Sequence, residues 1–218
     1  MLSKRKKRPK KPTTTGGKIW YFIWHDNSVW SWIANIILAF VLIKFIVYPG
    51  IGLAFGTTHP IVAVVSGSME HPGGFDKWWA EPASCSFGAC TQEGWYKEHA
   101  VSRETFRRFS MKNGFNKGDI IILFGAKPER LVIGDVIVFR SGRPDPIIHR
   151  VVKKTWFNDH YLFQTKGDNN PDSITSGILN ENGITEDRII GKAVLRVPWL
   201  GWVKIMFVEM IKFIIGWF

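Results

Sequence analysis

The sequence predicts a mainly β protein: an antiparallel β domain with an N-terminal transmembrane helix and a C-terminal membrane-associated helix. Three observations carry this. Short apolar, β-branched runs recur between Ile51 and Arg196, separated by Gly, Pro, Asp and Asn, with no amphipathic helical pattern between them. A twenty-residue apolar stretch precedes them, and a second apolar stretch follows. With 218 residues, 45% of them hydrophobic, the chain is long enough to bury a core and too apolar for disorder. Two cysteines exclude a disulfide-dense scaffold.

Residues 1–28 read as a basic cytoplasmic tail and interfacial segment. Lys4, Arg5, Lys6, Lys7, Arg8, Lys10 and Lys11 supply seven of the 29 Lys and Arg, so the remaining 22 face 18 Asp and Glu. The net charge of +11 is therefore mostly a tail. The stretch that follows, VWSWIANIILAFVLIKFIVY over 29–48, is broken only by Asn35 and Lys44. About 20 apolar residues cross a hydrocarbon core of roughly 30 Å. Trp20, Trp24, Trp30 and Trp32 on one side and Tyr48 on the other suit the interfaces. The basic tail places the N-terminus in the cytoplasm and the rest of the chain across the membrane. That topology accounts for the charge, so no nucleic-acid partner is expected. A cleaved signal and a buried core helix are the rival readings of the stretch, and both suit it less in length and flanks.

Residues 49–197 form the extracytoplasmic β domain. Its strand-like runs are IVAVVS (61–66), DIIIL (119–123), DVIVF (135–139), IIHRVV (147–152), YLFQTK (161–166) and RIIGKAVL (188–195). The segment 73–115 is rich in Trp, Gly and polar residues without a sustained period, and reads as an insertion, a long loop or small subdomain. Cys85 and Cys90 within it suit a local disulfide outside the cytoplasm, with free thiols or a zinc site shared with His71 or His99 as alternatives. In residues 198–218, Lys204, Glu209 and Lys212 fall within about 140° of a helical projection, opposite Met206, Phe207, Met210 and Phe213. This suits an amphipathic surface helix. A tilted second span and a helix packed on the β domain remain open.

The chemistry concentrates in few residues. VVSGSMEHP (64–72) carries Ser66 and Ser68, whose i, i+2 spacing points both hydroxyls to one side of an extended chain. Such a pair suits acyl transfer, one hydroxyl attacking while its N–H and the neighbouring hydroxyl hold the oxyanion. Ser-Gly-Ser is also a common turn. His149 sits in a strand between Ile and Arg, where a polar ring needs a partner or a role. Asp168 and Asp172 lie in TKGDNNPD, where turn chemistry is the plain reading and orientation of an imidazole the functional one.

Ser-Gly-Ser-Met-Glu after a membrane anchor, then KGDIIIL, IGDVIVFR, PIIHRVV and FQTKGDNN in that order, resembles type I signal peptidase. The branch it resembles is that of archaea and the endoplasmic reticulum, whose base is His. The resemblance spans roughly Pro60–Glu70 and Lys117–Val203. It implies a serine endopeptidase that removes signal peptides from secretory preproteins without cofactor or metal. It also implies Ser68 as nucleophile, His149 as general base, Ser66 and Ser68 at the oxyanion hole, and Asp168 or Asp172 as the acidic partner. The IVAVV strand, with Val64 and Val65, would pair with the extended substrate. Accessory subunits and membrane lipid are the further partners implied, in an archaeal plasma membrane or the endoplasmic reticulum. Three features depart from the family pattern. His71 precedes Pro72 where the family reads Ser-Met-Glu-Pro, the second acidic residue follows Asp168 by only four, and the insertion 73–115 is long. A non-catalytic module of a processing complex would have no need of Ser66, Ser68, His149, Asp168 and Asp172 together. A self-cleaving repressor-type protease would require a Lys base and a DNA-binding domain.

Overall fold

The protein is described by a computed structural model covering residues 12–175 and 177–215, with only the backbone described at Lys204, Ile214 and Ile215. The basic residues 4–11 and Trp217 lie outside the described residues. Two compact units divide the chain near Ile51.

The first unit holds α1 (Thr15–Trp24), which leads through a short turn into α2 (Val29–Phe55), and the last turn of α2 belongs to the second unit. Ser28 caps α2 by accepting from Ser31 N. Asn35, the polar interruption in the apolar stretch, donates to the carbonyl of Ile23 at 2.9 Å, and Ser31 Oγ donates to that of Phe22. Both carbonyls are end-of-helix acceptors that α1 leaves free. Sequence patterning ended the span at Tyr48, but α2 runs seven residues further, through Pro49. Proline removes a helical N–H and crowds the preceding turn, and a π-helical turn at Ile43–Val47 absorbs the mismatch. α2 is long and apolar enough to cross a membrane.

The second unit is built on one seven-stranded antiparallel sheet. Its strands are β1 (Ile61–Ala63), β4 (Ile120–Phe124), β5 (Val136–Phe139), β6 (Ile147–Phe157), β7 (His160–Lys166), β8 (Ile184–Thr185) and β9 (Ile189–Val197). The spatial order is β1-β4-β9-β5-β6-β7-β8. Bulges in the β4–β9, β5–β9 and β6–β7 pairings bend the sheet so that both faces gain cover. β5 shows why its sequence is continuously apolar. Val136 and Val138 enter one core with Val64, Met69, Phe115 and Ile121, while Ile137 and Phe139 enter another with Leu131, Val151 and Phe163.

The insertion is a folded subdomain. It holds α3 (Phe75–Trp79), the hairpin β2 (Pro82–Cys85) and β3 (Gly88–Thr91), α4 (Gln92–Glu98) and α5 (Arg103–Phe106). Trp78, Trp79, Trp95, Tyr96 and Phe106 form its core against Val152 of β6. Cys85 and Cys90 are disulfide-bonded across the hairpin, which removes the free-thiol and zinc readings of that pair. After β9 the chain turns through Trp199 into α6 (Trp202–Ile215), whose Val203, Met206, Phe207 and Phe213 are exposed.

Candidate active site

The segment carrying Ser66 and Ser68 departs from the expected extended strand. β1 ends at Ala63, and Ser66–Met69 form a turn. A core residue explains it: Met69 is completely buried, and seating its side chain folds the chain back after Val65. The hydroxyls of Ser66 and Ser68 still meet, at 3.2 Å. Glu70 closes the turn through its N–H to the Gly67 carbonyl. The carbonyl of Ser68 accepts from Asn169 N at 2.8 Å and that of Gly67 from Asn169 Nδ2 at 3.2 Å, so the KGDNN segment holds the serine turn.

His149 lies on β6 opposite Ile137, and its ring is buried. Its Nε2 stands 3.0 Å from Ser68 Oγ. Gly167 makes room for the ring: a β-carbon there would sit 2.8 Å from His149 Nε2. The opposite ring nitrogen, Nδ1, is 2.5 Å from Oε1 of Glu181, a residue outside every motif singled out above. Among the described residues the Ser68 N–H donates to no protein acceptor, so it is available to an oxyanion beside the Ser66 hydroxyl.

The two aspartates are engaged elsewhere, which corrects the expectation that one of them faces His149. Asp168 is fully buried and accepts from Arg150 Nε at 2.8 Å and Nη2 at 2.7 Å, from Tyr96 Oη at 3.1 Å, and pairs with His71 Nε2 at 3.0 Å. Burial opposes its charge, but Arg150 and His71 outweigh burial and hold the carboxyl well below the usual range. Asp172 accepts from Trp95 Nε1 at 2.8 Å and from Ser173 N. Tyr96, raised well above its ordinary pKa first by burial and then by the Asp168 charge, remains a donor. Lys166 is buried over Trp95 and donates to Gln92 Oε1 and to the carbonyls of Gly167 and Asp168. The unfamiliar His71 is part of this cluster, stacked on Trp78 at 3.7 Å. Two departures from the family pattern, His71 and the insertion, are thus one feature: together they house Asp168.

A cleft of about 420 Å³ opens beside Ser68, walled by Val64, Val65 and Ser66 on one side and by Ile147, Ile148 and His149 on the other. Val64 is buried in the core and fixed by the Gly118 N–H and the Asp119 carbonyl, whereas Val65 is exposed. β1 is the terminal strand of the sheet, bonded only to β4, so its other edge is unpaired.

A serine hydroxyl hydrogen-bonded to a histidine beside an open cleft is an arrangement that serine hydrolases use. No family model matches the chain. Among curated proteins it is similar to the signal peptidase complex catalytic subunit SEC11 of Komagataella phaffii, 29% identical over 79% of this chain and 81% of that protein. The SEC11 of Candida tropicalis is 31% identical over 49% and 66%. SEC11C of the dog, Canis lupus familiaris, is 33% identical over 48% and 56%. The alignments above 30% identity thus span two thirds or less of those relatives' own length. These homologues are catalytic subunits of the endoplasmic-reticulum and archaeal branch of type I signal peptidases, and the similarity runs at modest identity over most of this chain.

Proposed function

We propose that the protein is a membrane-bound serine endopeptidase that removes signal peptides from secretory preproteins. The observation that carries the reading is the 3.0 Å approach of His149 Nε2 to Ser68 Oγ at the mouth of the cleft. A preprotein segment adds to the unpaired edge of β1, with its small side chains towards Val64 and Val65. His149 Nε2 takes the Ser68 proton as Oγ attacks the scissile carbonyl carbon. The Ser68 N–H and Ser66 hydroxyl stabilise the oxyanion. His149 then passes the proton to the departing amine. A water molecule, deprotonated by the same nitrogen, attacks the acyl carbon, the ester bond to Ser68 Oγ breaks, and His149 returns the proton to Oγ.

α2 anchors the enzyme with its N-terminus in the cytoplasm and the β domain on the far side, in an archaeal plasma membrane or the endoplasmic reticulum. The named relatives are subunits of a complex, and accessory subunits are the partners that this kinship favours. The test is cleavage of a preprotein by the detergent-purified full chain, with sequencing of the new N-terminus. Ser68→Ala and His149→Ala should each lower the rate by at least about 10⁴-fold while leaving the fold intact. Robust cleavage by folded Ser68→Ala would sink the assignment.

A further inference from the structure

Glu181 sits on the loop between β7 and β8 and is completely buried. Its Oε1 meets His149 Nδ1 at 2.5 Å and accepts from Thr165 Oγ1 at 2.8 Å, while Oε2 accepts from Ile174 N at 2.7 Å. Its backbone is fixed as firmly. Glu181 N donates to the Ile174 carbonyl at 2.8 Å, and Thr165 N donates to the Glu181 carbonyl at 3.0 Å. Two donors, Thr165 Oγ1 and Ile174 N, converge on the side chain, and its third contact is the ring nitrogen Nδ1 of His149, which a carboxylate oxygen meets as acceptor when the ring proton is on that nitrogen. With the imidazole proton held on Nδ1 towards Glu181, Nε2 presents a lone pair to Ser68.

We propose that Glu181 is the positioning carboxylate of the site, in the place that the sequence motif reserves for Asp168 or Asp172. The proposal rests on the Ser68–His149 reading above. Asp168 lacks the capacity for that task, since two Arg150 donors, Tyr96 and His71 already occupy its oxygens. The loop from Ser173 to Gly183 carries a carboxylate back to the imidazole from another direction. Asp168 then serves the insertion, tying Arg150 to Tyr96 and His71.

An amide at position 181 makes the case testable. Glu181→Gln must turn its NH2 either towards Ile174 N–H or towards His149 and Thr165. The first arrangement sets donor against donor, and the second forces the imidazole proton onto Nε2, the wrong nitrogen for a base. The first measurement needs no substrate: ¹⁵N spectra of histidine-labelled full-length protein in detergent, with the His149 signals assigned by His149→Ala. The expected result is a neutral His149 ring protonated at Nδ1 in the wild type, with that signal shifted or lost in Glu181→Gln. The second is preprotein cleavage, in which Glu181→Gln should lower kcat at least about 100-fold with KM changed by less than about threefold. Glu181→Asp, keeping the charge, should recover at least tenfold of the loss. A wild-type ring protonated at Nε2 overturns the proposal even if Glu181→Gln does not fold, and so does wild-type kcat in that variant. If Ser68→Ala cleaves normally, the Ser–His reading falls, while the spectra still decide the Glu181–His149 contact on their own.

Discussion

Arg150 places all five of its N–H donors inside the protein, two on Asp168 and three on the carbonyls of Ser110, Gly134 and Met111. A buried ion pair of this kind adds little over an apolar replacement, but removing one partner strands the other charge. Asp168→Asn should therefore cost about 3–5 kcal/mol, read from denaturant unfolding of the detergent-solubilised protein. The Asp168 pKa lies below its unfolded value near 3.8. Its stabilisation is accordingly complete above that value and fades as pH falls through the folded pKa. The gap between wild type and Asp168→Asn should close as pH falls below about 5 into strong acid. Lys166 has the opposite sign. Burial lowers its pKa to about 7 against the attraction of Asp168, Asp172 and Glu181, while the unfolded value is 10.5. Between those values the unfolded chain binds the extra proton, so this group makes stability rise with pH. Lys166→Met should flatten that rise by up to about 1.4 kcal/mol per pH unit, measured as unfolding free energy from pH 7 to 10.

At the scale of elements, the insertion buttresses the loop that holds the serine turn. Ser84 N of β2 donates to the Pro171 carbonyl, Gln92 Nε2 of α4 to that of Asn170, and Trp78 Nε1 of α3 to that of Asp168. The disulfide closes a short loop in the same hairpin, with a sequence separation of 5. Loop entropy alone makes it worth about 2 kcal/mol. Cys85→Ser with Cys90→Ser should lower the melting temperature by several degrees and speed amide exchange at Ser84 and Asn169, while amides in β5 stay protected. Unchanged exchange at Asn169 would separate the insertion from the serine turn. The order of motifs along the chain made Ser68 and His149 legible, because each lies in a run whose neighbours share its pattern. The insertion was legible as an interruption only. Its elements are four to seven residues long, too short to show a period, and they cohere through aromatic contacts between distant residues.

For the whole molecule, a membrane anchor fits the apolar surface that α2 leaves exposed among the described residues. No residue in the most apolar stretch of α2 is buried, and its length exceeds what a hydrocarbon core of roughly 30 Å requires. The described part of α6 rises about 21 Å over 14 residues and exposes Val203, Met206, Phe207 and Phe213, and we propose that it lies in the interface. The full chain should resist alkaline carbonate extraction. A chain beginning at Gly52 should fold around its own core and still bind lipid vesicles, and further removal of residues 202–218 should release it. Loss of vesicle binding on removing residues 1–51 alone would contradict an interfacial role for α6.

By itself the sequence determined what depends on local order. This comprises a span long enough for a bilayer, alternating strands that need a β core, and a serine motif and a histidine strand in a recognisable succession. Only the tertiary structure decided which carboxylate faces the imidazole. Glu181 lies 32 positions beyond His149 in a loop without periodicity, and its role depends on how Thr165 and Ile174 fold that loop back. Asp168 sits in the expected motif, yet Arg150, one residue after His149, reaches it first. Hydrogen-bond partners are settled by which donors arrive at a buried oxygen once the chain has closed, and chain closure is a long-range property that no local pattern encodes.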